Sequence, residues 1–465
     1  MRCRTLQYRP RRSREGQATR GFSMTDIETK VDGVVHNGYR AENTATLLER
    51  IDAANAEAVR RLDEAVPMLV DIVPAREVVP RLGTRMVLHA GPPVGWQRMS
   101  GAQRGAVMGM LLFEGWASSP EQARAMLEAG EIELDANHEH QAVGPMAGTI
   151  SPSLPVFVVE DQAHGTRAFC RNVEGMQQFG AYHEDALNIL RAWRDTNAPA
   201  LSAALRHSGP IELKPMLARG IEMGDELHNR PNATTLLFGV DMGRRMVRAG
   251  VAADLIANTL DLCYFNPYTA LGLSMAAGKA MSESLRDLEH STVVRVMARN
   301  GTEFGIKVAG LGEQWFVAPA PLADGLYWPG FSETDANRDM GDSAITETVG
   351  WGGCVIAGAP GILALTGGTP EDALDWTRQN ISISLARSST YKLPALGFEG
   401  APIGIDIRKV VATGTTPVID SAIAHRQPGI GMIGSGIVHA PLECFQKALE
   451  AFERRYGAVM QTEAV

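Results

Sequence analysis

The chain has 465 residues, 21% of them charged and 45% hydrophobic, with a formal net charge of -9 and an isoelectric point near 5.7. That length is too great for one core and predicts about three domains; the acidic balance, without interleaved basic and aromatic residues, argues against a nucleic-acid face, which phosphates require to be basic. The cysteines Cys3, Cys170, Cys263, Cys354 and Cys444 lie far apart with no CxxC pair, which disfavours a zinc cluster or a disulfide framework and predicts a reducing, cytoplasmic setting.

In residues 1–23, Arg2, Arg4, Arg9, Arg11, Arg12, Arg14 and Arg20 stand against a single acid, Glu15. No apolar run follows, so the segment is not a secretory signal and is expected to be a disordered leader or the product of a start codon placed too early. Residues 24–175 are predicted to form an N-terminal α/β domain of Rossmann-like type. An amphipathic helix over 41–66 carries Leu47, Leu48, Ile51, Val59 and Leu62. A strand over Arg85–His89, a helical stretch over 101–129 and a strand over Leu154–Val159 follow. Residues 176–300 are rich in Ala, Leu, Met and Arg and predict a mainly helical domain, with Thr235–Val240 as its strand candidate. Residues 301–465 predict a glycine-rich C-terminal α/β domain. It closes on a helix near Pro441–Arg455 with Leu442, Phe445, Leu449 and Phe452 on one face.

The run DANRDMGDSAITETVGWGGCVIAGAP, Asp335–Pro360, joins an acidic loop to an uncharged stretch. Like charges this close repel unless a cation, a helix N-terminus or N–H donors offset them. From Thr348 to Pro370 there is no charge, but seven glycines and two prolines interrupt the stretch. A membrane helix would lose propensity at each, so close packing in a buried core is expected. Asp335, Asn337 and Asp339 alternate like calcium-loop ligands, yet Gly341 falls one place late and Thr346 stands where glutamate is needed. Asp342 reads equally as a helix cap, with Glu347 in the first turn, or as a site residue. In GDELHNR, Asp225 and His228 would share a face if the segment were helical and form an acid/base or metal pair, with Arg230 as an anion fork. His138 and His140 in NHEHQAVGPMAG would face one side of a strand and contact substrate. GIGMIGSG, with Gly434 and Gly436, matches GxGxxG but lies too close to the C-terminal end for a dinucleotide fold; an anion site on its N–H groups stays open beside plain strand-to-helix packing. GLSMAAGKA misses the phosphate-loop spacing by one residue, leaving Lys279 as a helix lysine. Asp406 and Arg408 in GIDIRKVV would lie on one face of a strand, as an anion clamp or as a simple ion pair.

Together DANRDMGDSAITETVGWGG, GDELHNR, RNGTEFGIKVAGLGEQWFVAPA, NHEHQAVGPMAG and GIDIRKVVATGTTPVIDSAIAHRQPGIGMIGSGIVHAPLECF resemble the YlbE/YahG-like family over about residues 40–455. The resemblance implies a subunit of a carbamoyltransferase, as in the allantoin-operon branch, where an oxamate carbamoyltransferase subunit works with FdrA-like and YlbF-like subunits in purine catabolism. The implied chemistry moves a carbamoyl group between phosphate and an amide or amine nitrogen, as between carbamoyl phosphate and oxamate. It calls for a base (Asp225 or His228, with Asp339 and Asp342 as further catalytic candidates) and for oxyanion donors near Gly352 and Gly353. It also calls for anion clamps at Arg230, Arg408, Gly434 and Gly436, and for polar contacts from Asn337, His138 and His140. Mg²⁺ on Asp335 and Asp339 is the one cofactor considered. The family carries no established assignment of catalytic residues to transfer. A metal-assisted amidohydrolase of a ureide and a non-catalytic partner subunit are the competing readings; a homo-oligomer without membrane or nucleic-acid contacts is expected.

Overall fold

The computed structural model describes residues 38–172, 180–266 and 268–458. The arginine-rich segment 1–23 lies outside them. The chain divides into two units, Met1–Asn43 and Thr44–Val465; the second is mixed α and β, with strands distributed over several sheets.

The largest sheet has five strands in the order Ala142–Val143, Thr166–Arg171, Pro155–Asp161, Pro67–Pro74 and Ile211–Glu212. Its pairs run antiparallel except the first, and the only other parallel pair among the described strands is Met86–His89 with Glu133–Ala136. The Rossmann-like expectation therefore fails: such a domain needs a run of parallel strands joined by crossover helices. Against this sheet lies the helix Thr269–Glu283, every residue of which is buried. Its small residues permit the approach: a Cβ on Gly272 would come within 2.8 Å of the Phe157 ring. Gly272 thus serves helix-on-sheet packing, Gly278 lets the helix approach Ile345 and Val349, and Lys279 is a buried helix lysine paired with Glu283.

Besides the antiparallel pair Ser384–Leu393 with Glu399–Ile405, two antiparallel sheets carry the rest of the frame. One orders Phe316–Pro319, Glu303–Val308, Val294–Asn300 and Met340–Gly341; the other orders Asp324–Tyr327, Met432–His439 and Val418–Ala424. The helix Leu442–Tyr456 packs Phe445, Leu449 and Phe452 inward as its periodicity predicts, with Leu442 only partly covered.

Three local expectations are corrected. Thr235–Val240 is not a strand but part of the helix Asn232–Arg248, whose buried Thr234, Thr235, Phe238, Gly239, Met242, Gly243 and Met246 recur at helical spacing. Asp406 and Arg408 do not share a strand face. Asp406 caps the helix Ile407–Thr413 by accepting from the Arg408 N–H, and Arg408 turns back to pair with the Asp406 carboxylate at 2.8 Å. Gly434 and Gly436 sit inside the strand Met432–His439 rather than before a helix. A Cβ on either would overlap the backbone of Asp324–Tyr327, so they allow two strands to touch and present no anion cradle.

The uncharged stretch is a succession of tight turns: helical turns at Ile345–Thr348 and Leu363–Thr366 flank 3₁₀ turns at Gly352–Cys354, Ile356–Gly358 and Pro360–Ile362. Among the described residues no helix is long and apolar enough to cross a membrane.

Candidate functional site

Each acid of the 335–342 loop has its own offsetting group. Asp335, near the surface, forms a capping box with Ser332 around the turn Glu333–Asp335, and the Ser332 hydroxyl and N–H hold its carboxyl below the usual range. Asp339 is fully buried and forms a two-pronged ion pair with the equally buried Arg299, at 2.7 and 3.1 Å. Arg299 also donates to the Gly341 carbonyl and to the hydroxyls of Ser343 and Ser421. Asp342 accepts from the N–H groups of Gly91 (2.7 Å) and Gly144 (2.9 Å) and from Asn137 Nδ2 (2.8 Å). It does not cap the turn that follows, which has no side-chain cap. The loop is thus tied down by a cation and by N–H donors, and the expected Asp335–Asp339 metal pair is replaced by a cap and an ion pair. Asn337 donates to the Arg338 carbonyl and is buried.

His138 and His140 lie in a 3₁₀ turn, Asn137–His140, so they do not share a strand face. His140 bonds the Pro80 carbonyl and Asp135. The His138 ring is buried edge-on to Trp315, its Nε2 3.4 Å from Asp342 Oδ1 without hydrogen-bond geometry. Burial, with Lys279 nearby, pushes the His138 pKa down.

GDELHNR is not helical. Asp225 is spent locally, accepting from the N–H groups of Ala233 and Thr234 and from the Thr234 hydroxyl at the start of the helix Asn232–Arg248. Arg230 donates to the Gly224 carbonyl. Leu227, buried, takes the left-handed conformation at φ 70°. That costs a non-glycine residue about 1–2 kcal/mol and is the kind of local strain that concentrates at functional sites.

Across this strained turn the chain presents Glu226 and His228 to Glu347 and Asp420, all four fully buried. His228 Nδ1 lies 2.8 Å from Glu347 Oε1 and 3.4 Å from Asp420 Oδ1. Glu226 accepts from the N–H of His228 at 2.7 Å and from that of Arg230. Glu347 also receives the Gly353 N–H (3.0 Å) and the Thr346 hydroxyl (3.0 Å), so the Gly353 donor expected to face a substrate oxyanion is already engaged. Gly352 stands at φ 60°, and a Cβ there would collide with the Glu347 carboxyl. Gly352→Ala is therefore expected to displace Glu347 and to cost about 1–2 kcal/mol from backbone strain alone, measurable as a lower denaturation midpoint.

Burial dominates the electrostatics. It raises the Glu226 pKa well above the ordinary carboxylate range, with Asp420 adding to the effect. It lifts Asp420 to about 6, assisted by Glu347 and opposed by His228. For His228 burial works against the charged form, but the carboxylates of Glu347 and Asp420 more than compensate and its pKa rises. Neither Asp420 oxygen receives a hydrogen bond of good geometry, although the Glu226 carboxyl and the Asp420 N–H lie close enough to favour its charged form. Beside the group lies a cavity of about 20 Å³, lined by His228, Asn229, Tyr268, Ser343, Ser421 and Met146 among others; that is room for roughly one water. Two of its hydroxyls, Ser343 and Ser421, are the ones Arg299 orients.

Of the candidates named from sequence, His228 enters this cluster and Gly352 and Gly353 line the back of Glu347. Motif spacing singles out neither Glu226 nor Asp420, and it gives Glu347 only as an acid in a helix turn. A signal existed for Asp420: it is the one charge in the apolar run VIDSAIA, and a lone acid in a buried strand is rare without a role.

The family model described as oxamate carbamoyltransferase subunit AllG matches residues 132–343. Two proteins of Escherichia coli (strain K12) are similar over most of their length. The uncharacterized protein YahG is 41% identical over 414 residues, covering 88% of this chain and 88% of the relative. The oxamate carbamoyltransferase subunit AllG is 43% identical over 410 residues, covering 87% of this chain and 98% of the relative. The crystal structure of a conserved protein of unknown function from Enterococcus faecalis V583 superposes with a TM-score of 0.85 at 38% identity, covering 88% of this chain and 99% of that one. The chain belongs to the YahG/AllG-like family.

Proposed function

We propose that the chain is a subunit of a carbamoyltransferase that moves a carbamoyl group between phosphate and an amide or amine nitrogen of the oxamate/oxalurate type. It would serve purine or ureide breakdown in the cytoplasm, as a homo-oligomer joined by FdrA-like and YlbF-like subunits. The reading is supported by kinship with a subunit of that printed activity and, above all, by the buried group of His228, Glu226, Glu347 and Asp420 beside a cavity edged with hydroxyls.

The reaction needs three things. The acceptor nitrogen is a weak nucleophile and must give up a proton as its bond to the carbamoyl carbon forms. In the transfer the N–C bond forms, the C–O bond to phosphate breaks, phosphate leaves with the electron pair, and the nitrogen's proton passes to the enzyme. His228, flanking the cavity and backed by Glu347, is the base. The carbamoyl NH₂ offers only donors, which suits the carboxylates grouped behind His228. The developing oxyanion requires fixed donors, and the Ser343 hydroxyl, oriented by Arg299, stands at the cavity with its proton free for that, whereas the Ser421 hydroxyl donates to Asp339 at 2.7 Å.

The test is to purify the chain with its genomic-neighbour subunits and follow oxalurate breakdown with and without phosphate. Phosphate-dependent formation of oxamate and carbamoyl phosphate is expected. Loss of roughly 100-fold or more in kcat is expected for His228→Gln, the usual worth of a general base. Release of the carbamoyl group to water at a rate indifferent to phosphate would overturn the reading.

A further inference from the structure

We infer that His228, Glu347 and Asp420 form a binding site for one first-row divalent cation, Mn²⁺ or Zn²⁺, with an open coordination position toward the cavity. Three observations carry this. First, one nitrogen and two carboxylate oxygens from separate segments converge, all within 4.8 Å of one another and all buried. Second, the two spacings to the imidazole approach those of a ligand set. Ligands held at about 2.1 Å from a metal lie about 3.0–3.4 Å apart in octahedral or tetrahedral geometry. The imidazole nitrogen stands 2.8 and 3.4 Å from the two carboxylate oxygens. Third, Asp420 is wholly buried, stands 3.4 Å from His228 Nδ1, and receives no hydrogen bond of good geometry at either oxygen, its nearby polar support being the Glu226 carboxyl and its own N–H. A carboxylate left so in a protein interior is costly unless a cation meets it.

The surroundings fit a catalytic rather than a purely structural centre. Three protein ligands leave room for water or substrate, whereas closed structural sites use four. The cavity beside His228 supplies that room. Outer contacts hold two ligands in place: the Thr346 hydroxyl and the Gly353 N–H on Glu347, and Glu226 on the His228 backbone. Mixed imidazole and carboxylate donors suit Mn²⁺ and Zn²⁺ better than Ca²⁺ or a thiophilic ion. Cys354 lies outside the ligand set, its thiol donating to the Glu347 carbonyl at 3.6 Å. Coordination at Nδ1 leaves Nε2 protonated, so a bound cation would replace the base role of His228; what it would then do, polarise the carbamoyl carbonyl, rests on the carbamoyl-transfer reading, and the site itself does not.

The experiment titrates the full chain, freed of metal by chelation, with MnCl₂ or ZnCl₂ by calorimetry. One cation per chain is expected, with affinity falling about 100-fold or more in Asp420→Asn and in Glu347→Gln. It should hold within about threefold in Asp335→Asn, whose carboxylate lies near the surface outside the ligand set. Bound Mn²⁺ in the unmutated chain should show nitrogen modulation from one imidazole in pulsed paramagnetic resonance, a readout that does not depend on any variant folding. Absence of saturable binding, absence of the nitrogen signal, or unchanged affinity in a folded Asp420→Asn would each overturn the site. Phosphate-dependent transfer that persists after complete chelation would sink the metal and leave the transferase standing. Tight metal binding without any such transfer would support the site and sink the transferase.

Discussion

Asp339→Ala is expected to destabilise the chain by about 3–5 kcal/mol, the usual consequence of leaving one partner of a buried ion pair uncompensated. Asp339 and Arg299 are both inaccessible to solvent, and the aspartate makes the guanidinium's only ionic contact among the described residues. Arg299 bridges the strand Val294–Asn300 to Gly341, Ser343 and Ser421, so its loss of a counter-charge would loosen two sheets and the cavity hydroxyls together. Chemical denaturation of Asp339→Ala, Arg299→Met and the double variant should give a cycle in which the double loses less than the sum of the singles, since it removes both charges. Additive losses would mean that the pair is not what holds this junction.

The same pair shows what the sequence makes legible. Repulsion among Asp335, Asp339 and Asp342 demands offsetting groups, and that inference survives in full. The identity of those groups could not be read, because Arg299 lies 40 residues from Asp339 and Gly91 lies 251 residues from Asp342; only tertiary pairing brings them together. Periodic segments were legible for the opposite reason. The helices Gly38–Glu64 and Leu442–Tyr456 declare their buried faces through Ile51 and Leu62, and through Phe445, Leu449 and Phe452. Thr235–Val240 misled because β-branched and apolar residues there look strand-like over six positions, while the helical period emerges only over the whole of Asn232–Arg248. In GDELHNR the motif is legible but its geometry is not. Spacing on an assumed helix favoured Asp225, whereas the positive φ at Leu227 turns Glu226 and His228 inward. Asp420 required knowing that its strand abuts the turn Gly352–Cys354: a Cβ on Gly353 would overlap the Val418 carbonyl.

Asp420→Asn is expected to make the metal-free chain more stable while abolishing its function. Burial and Glu347 lift the Asp420 pKa to about 6, and a rise of about two units from an ordinary aspartate is worth on the order of 3 kcal/mol of penalty on the charged form. The sign follows from linkage. A carboxyl whose folded pKa exceeds its unfolded value contributes stability that is fully present below the unfolded pKa, near 4, and lost as pH rises through about 6. Glu226 and His228, both raised as well, add slopes of the same sign. After chelation, the unmutated chain should therefore lose stability between about pH 4 and pH 8. Asp420→Asn should flatten part of that loss, and at pH 8 should exceed the unmutated chain by about 1–3 kcal/mol. Denaturant melts at several pH values measure this directly. Stability given up to hold charges where chemistry needs them is the expected mark of an active site, and an Asp420→Asn chain that proved less stable than its parent at pH 8 would place Asp420 among the structural residues instead.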